Sequence, residues 1–264
     1  AVLKYKKNFT LHIGIPHHEN THITNNLNDG PDAYKDLQFL WFNKTWKASS
    51  LSLLALNNGV PVMEDSVQVS KYSQTLGGRF TRKFEKWSMA ANLYYQTGKH
   101  SNGKEISALN FLAEATMKMG ITAGYEYLSG NSYDKNDKVY AFTPFYGTNH
   151  KFNGFMDYFF VSTHINSVGL NDAYLKYGWS RKKFSINTDL HYFASAGKIN
   201  ADAGKYLGTE IDLTLGYKLH EIATLNAGWS LMFASESMEL LKGGDSRASN
   251  YWDYFMLTVT PAYI

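Results

Sequence analysis

Cysteine is absent from the 264 residues, which rules out disulfides and any metal site built on thiolates. Also missing is any stretch near the roughly 18 consecutive apolar residues of a membrane-spanning helix; the densest apolar pieces, such as LSLLAL at 51–56, are short. This excludes a helical membrane protein but not one that crosses with strands. Net charge is only +3, without the clustered basic face of a nucleic-acid binder, so no nucleic-acid partner is expected. There is no GxSxG nucleophile elbow, and glycine is dispersed instead of gathered into a phosphate-binding loop. No cofactor is implied.

What is present is alternation. Aromatic residues make up 16% of the chain, with 19 Tyr and 16 Phe, yet mean hydropathy is only -0.35. In 206–220, Ile211, Leu213, Leu215 and Tyr217 fall on one parity and Glu210, Asp212, Thr214 and Gly216 on the other. After a short polar turn the pattern resumes, with Leu225, Ala227, Trp229, Leu231 and Phe233 against Thr224, Asn226, Gly228 and Ser230. Strict period two means strands, and runs of about ten residues with aromatics near their ends suit a bilayer crossing. The same reading places about thirteen strands: 2–6, 9–15, 37–42, 49–56, 69–83, 87–96, 105–117, 121–128, 169–180, 184–193, the two halves of 206–233, and 251–264. Residues 57–66 (NNGVPVMEDS) read as an open loop, and 129–167 as the longest irregular piece.

The expectation is an all-β antiparallel transmembrane barrel forming a single domain over 1–264, with short turns on one side and long loops on the other, as in bacterial outer-membrane barrels. Its expected location is the bacterial outer membrane, in contact with lipid and lipopolysaccharide. An odd strand count starting on the long-loop side leads us to expect further N-terminal strands. A secreted barrel also needs a leader, so the start at Ala1 is expected to be processed.

The segments YLGTEIDLTLGYKL and ATLNAGWSLMFASESMELLKGG, followed by NYWDYFMLTVTPAYI, resemble the C-terminal strands of alginate-export-type porins of the Bacteroidetes form. FTPFYGTNHKFNGFMDYFFV and GLNDAYLKYGW are similar to that family's long loop and next strand, and VLKYKKNFTLHIGI with FLWFNKTWKASSLSLLAL fits it more loosely. The resemblance implies a barrel of about eighteen strands that passes a polysaccharide or small polar solutes passively, with no enzymatic activity. A different reading is a structural or accessory barrel within a larger envelope complex, its lumen plugged. A barrel enzyme is the least supported class, because no nucleophile and base can be placed at one rim.

With the apolar parity in lipid, Lys4, Lys6, Lys71, Arg79 and His12 point inward from the first half of the chain, and Glu114, Glu126, Asp172, Lys176, Asp189, His191, Glu210 and Asp212 from the second. Cations thus favour one arc and carboxylates the other. Such charges set pore selectivity unless they simply pair across adjacent strands. Six inward carboxylates argue against a purely anion-selective pore and leave an anionic or neutral glycan or a small solute open. The aromatic-rich 129–167 segment, with Phe145, Tyr146, Phe155, Asp157 and Tyr158, is expected to narrow the lumen.

Two motifs read as decoys. His18-Glu19-Asn20-Thr21-His22 has zinc-protease spacing but lies in a polar loop, where an extended chain puts the histidines roughly 13 Å apart. Asp134, Asn136 and Asp137 lack the glycine and terminal Glu of an EF-hand. Residues 237–242, before Gly243 and Gly244, read as one helical turn in the last loop.

Overall fold

The computed structural model describes residues 2–4, 8–16, 34–147 and 152–260. They form one antiparallel sheet in which each strand pairs with its neighbours in sequence. The strands are β1 (Val2–Lys4), β2 (Phe9–Gly14), β3 (Asp36–Trp46), β4 (Ser49–Glu64), β5 (Val67–Lys83), β6 (Trp87–Lys99) and β7 (Glu105–Met117). They continue with β8 (Ile121–Leu128), β9 (Leu170–Arg181), β10 (Phe184–Ala194), β11 (Tyr206–His220), β12 (Ala223–Ala234) and β13 (Asn250–Val259). Among the described residues no ladder joins β1 to β13, and no helix is long and apolar enough to cross a membrane. The HExxH segment and Lys6 lie outside the described residues.

Burial is inverted relative to a soluble sheet. One face exposes large apolar side chains, among them Leu93 at 57% and Leu76 at 51%. The other buries polar ones, including Asn58, Asp172, His191 and Asp212 at 1% each. A face of exposed leucines is stable only against an apolar solvent, because leaving them in water forgoes about 1.5–3 kcal/mol per side chain. Exposed aromatics bound this apolar face at both ends. Trp46, Trp87, Trp179 and Phe184 lie by the short turns, and Tyr72, Tyr95, Tyr192 and Tyr206 at the opposite ends of their strands. On β6, Trp87 and Tyr95 are about 27 Å apart along the strand at about 3.4 Å per residue. That is the scale of the roughly 25 Å apolar band between the aromatic girdles of membrane barrels.

The connections at one end are short throughout: 47–48, 84–86, 118–120, 182–183 and 221–222. At the other end, 129–169, 195–205 and 235–249 are long. The expected open loop at 57–66 is a correction. β4 runs on to Glu64 and reverses over Asp65 (φ 46°) and Ser66 (φ 69°), the two left-handed residues of a type I′ hairpin turn. This hairpin projects beyond its neighbours, since β3 pairs only as far as Gly59 and β6 only as far as Ser73. Pro61 is tolerated because its missing N–H falls where no third strand needs it. Loop length is therefore not strictly short-long in alternation.

The apolar core lies inside the sheet, at the long-loop end. Leu128, Leu170, Phe193 and Leu207 line the inner face there and pack against Phe142 and Phe159 of the 129–169 loop and Met238 of α1 (Glu236–Lys242). The helix starts where Ser235 Oγ accepts the Met238 N–H (3.3 Å) and stops at Gly243, φ 77°. Below this apolar mouth the wall is polar.

Candidate functional site

Register alone draws a belt around the inner face. Thr10, Asn43, Ser52, Arg79, Asn92, Leu112, Glu126, Asp172 and Phe193 are successive cross-strand partners from β2 to β10. Lys4 pairs with Thr10 at the head of this row, though its side chain is outside what is described. Within the belt, Glu126 and Asp172 stand directly opposite one another, a like-charge pair that is unfavourable on its own. Donors resolve the conflict. Asn153 Nδ2, from the long loop, donates to Glu126 Oε2 (3.1 Å) and to Asp172 Oδ2 (3.0 Å). Asn110 Nδ2 donates to Glu126 Oε1 (2.9 Å), and His191 Nδ1 to Asp172 Oδ1 (2.8 Å).

The 129–169 loop docks on this inner face through polar contacts as well as its apolar core. Tyr146 Oη donates to Asn58 Oδ1 on β4 (2.6 Å). The Thr143 N–H donates to Gln96 Oε1 on β6 (2.9 Å), and Gln96 Nε2 returns a bond to the Thr143 carbonyl (2.7 Å). The Met156 N–H donates to Glu210 Oε1 on β11 (2.9 Å). One loop therefore touches strands from β4 to β11. Gly154 (φ 89°) lies so close to Glu210 that a Cβ there would push the carboxylate aside, and its left-handed backbone angle favours glycine.

Between loop and wall lies a cavity of about 810 Å³, in the range of small-molecule sites. Its loop side is apolar, with Phe142, Pro144, Phe152, Phe159 and Phe160, and its wall side is polar. Arg79, Glu114, Glu126, Asp172, Lys176 and His191 all line it. Arg79 bridges Asn92 Oδ1 (2.8 Å) and Glu114 Oε1 (3.4 Å), and Tyr174 Oη donates to Glu114 Oε2 (2.8 Å). A single cluster thus joins β5, β7 and β9. Lys176 Nζ pairs with Asp189 Oδ2 (2.8 Å), its cross-strand neighbour.

The other expected residues lie elsewhere. Lys71 forms an ion pair with Glu64 on the projecting hairpin, away from the cavity. Asp189 points inward but is held by Lys176 beside the cavity. Glu210 and Asp212 are on the inner face yet do not line the cavity; they are buried at 0% and 1% exposure, with Gly154 and Met156 of the loop lying against Glu210. In the loop, Tyr158 packs against the apolar core, Phe145 lines a separate small crevice, and Asp157 adopts φ 58°. Phe155 remains 37% exposed. Sequence reasoning missed Asn153 and Gln96 as organisers of the site. An asparagine in an irregular segment carries no periodic signal. Asp134 of the second decoy accepts from Ser132 (2.6 Å) and is paired with Lys198 (2.6 Å). Among the described residues no three His, Asp or Glu side chains converge on a metal position.

The loop carries its own titratable group. His164 closes the 3₁₀ turn Val161–His164, and its Nε2 donates to the Phe159 carbonyl (3.1 Å). Burial pushes its imidazole down from 6.5 to about 4, and the Lys242 charge adds to the effect. A released loop takes up a proton below pH 6.5, whereas the docked one does not until about pH 4. Docking is therefore strongest above pH 6.5 and weakens by roughly 3 kcal/mol as pH falls to 4. The hydrogen-exchange protection factors of 152–165, taken relative to the intrinsic rate at each pH, should fall over that window, and His164→Gln should flatten the dependence. An unchanged profile in the variant would assign the effect to another group.

No family model matches the chain, and neither does any curated protein. The alginate-export-type membership suggested by the C-terminal segments accordingly gains no support. Solved structures do share the fold. The outer membrane protein OprD from Pseudomonas aeruginosa matches with a TM-score of 0.55 at 12% identity, covering 97% of this chain and 66% of its own. Acinetobacter baumannii OccAB4 matches at 0.53 and 11%, covering 97% and 64%. This chain thus spans just under two thirds of either protein. The NanC porin matches only at 0.39, too distant to bear on the fold. These matches show a porin-like antiparallel β-fold, and the exposed apolar band with its two aromatic rims is the face that such a fold turns to lipid.

Proposed function

We propose that the protein is a passive channel for small polar solutes in the bacterial outer membrane. In this reading the sheet closes into a barrel, the short turns face the periplasm, and the 129–169 loop narrows the passage. The observation that carries it is the charged cavity between that loop and the inner face of a membrane-embedded sheet. Its wall presents three carboxylates, Glu114, Glu126 and Asp172, against the cations Arg79 and Lys176. That balance disfavours a polyanion such as alginate and favours neutral or mixed-charge solutes, short neutral glycans included. The outward face meets lipid and lipopolysaccharide. No side chain is assigned a catalytic role.

A second reading, an accessory barrel with a plugged lumen and protein partners in the envelope, draws on the apolar mouth formed by Phe142, Phe159 and Phe193. Planar-bilayer recording separates the two. The channel reading expects discrete single-channel steps, with Glu114→Gln moving the reversal potential in a salt gradient toward anion preference. A folded protein without current would leave the plugged barrel standing.

A further inference from the structure

Beneath the docked loop, two acids on the inner face of β11 are left without enough donors. Glu210 and Asp212 are two residues apart on one strand and so share a face, at 0% and 1% exposure. Glu210 Oε1 accepts the Met156 N–H, but Glu210 Oε2 and both oxygens of Asp212 have no hydrogen-bond partner. The side chains around them are committed or unmatched in turn. Across β10, Asp189 opposes Asp212 and is held by Lys176, while His191 opposes Glu210 and spends Nδ1 on Asp172. Across β12, Ser230 opposes Asp212, and its hydroxyl is 1% exposed and equally unpartnered. His191 Nε2 is unpartnered too.

Uncompensated carboxylates at this depth are strongly unfavourable. The neighbouring lysine is already neutralised by Asp189, so the missing element is a positive charge bound by oxygen atoms. We propose that Glu210 and Asp212, with the Ser230 hydroxyl, bind one hard divalent cation of the Ca²⁺ class. Two carboxylates balance two positive charges, and an all-oxygen donor set selects Ca²⁺ or Mg²⁺ over the softer transition metals. No third acidic or histidine side chain converges there among the described residues. The remaining coordination therefore falls to backbone carbonyls and water, which the irregular geometry of Ca²⁺ tolerates better than the strict octahedron of Mg²⁺. Because Glu210 also receives the Met156 N–H, the cation holds in its ionised form the carboxylate that anchors the loop. The site is independent of whether the barrel conducts.

The test is equilibrium dialysis with radiolabelled calcium chloride alone, on the full chain refolded in detergent free of lipopolysaccharide, at neutral pH. Expected is one Ca²⁺ per chain, with binding weakened at least about tenfold in Asp212→Asn and unchanged in Asp134→Asn/Asp137→Asn, which removes the exposed loop acids. Calcium should also slow hydrogen exchange at 152–158 in the wild-type protein, and chelator should reverse this. That readout needs no variant to fold. Absence of stoichiometric calcium binding by the wild-type chain, or binding that is lost with Asp134 and Asp137 and not with Asp212, overturns the proposal. Equal protection with calcium and with chelator overturns it as well, and makes the pair a proton-holding one.

Discussion

Replacing residues 142–164 with a short Gly-Ser linker should raise single-channel conductance by about two- to fivefold, because ion flow through a pore scales with the open section at its narrowest point. The loop covers the inner face from Asn58 on β4 to Glu210 on β11 and supplies the apolar wall of the cavity. Its removal leaves the ladders of the sheet intact, since among the described residues no strand of the wall lies within the excised range. It does expose Leu128, Leu170, Phe193 and Leu207 at the mouth, so thermal stability should fall even as conductance rises. Selectivity should change as well. Glu126, Asp172 and Glu210 lose the donors Asn153 and Met156, and bare carboxylates favour cations. Paired single-channel and reversal-potential measurements read both effects. Unaltered conductance in a folded variant would place the loop outside the conducting path.

Leu190→Arg should destabilise the membrane-inserted protein by about 1–2 kcal/mol, between the full cost of a guanidinium at the bilayer midplane and the small one at its rim. Leu190 is 43% exposed on the outward face of β10, between Phe184 at the short-turn rim and Tyr192 at the other. In a soluble sheet the same exposed leucine would accept arginine with little change, within about 0.5 kcal/mol. The sign and size of this single substitution therefore distinguish lipid from water as the solvent of that face. Guanidinium unfolding of protein refolded into phospholipid vesicles gives the number. Trp179→Arg, at the aromatic rim, should cost far less, because the side chain can reach the headgroups. Equal and negligible costs at both positions would remove the membrane assignment.

Much of the wall was legible from period alone. A strand offers only two faces, so each alternating run divides its residues once and for all. Arg79, Glu114, Glu126, Asp172, Lys176 and His191 accordingly meet on one inner surface, and Lys176–Asp189 is a direct cross-strand pair. Local chemistry also marked the last loop's helix through the glycine that ends it, Gly243, although the helix begins at Glu236, one residue before the expected turn, on a Ser235 cap. The 57–66 segment was not legible in this way. Asn57, Asn58, Gly59 and Pro61 have the composition of a loop, and only the end points of β3 and β6 show why a proline fits there.

What the sequence determined by itself is which side chains face which solvent, since that follows from the geometry of one extended chain. Tertiary structure decided which of the inward charges stay accessible. Glu114 and Glu210 carry the same signature in sequence, yet one lines a cavity beside Arg79 and the other is sealed beneath Gly154 and Met156. The difference is set by where an aperiodic loop lands. Its position depends on contacts such as Asn153 with Glu126 and Asp172, which join residues distant in the chain and leave no periodic trace in it.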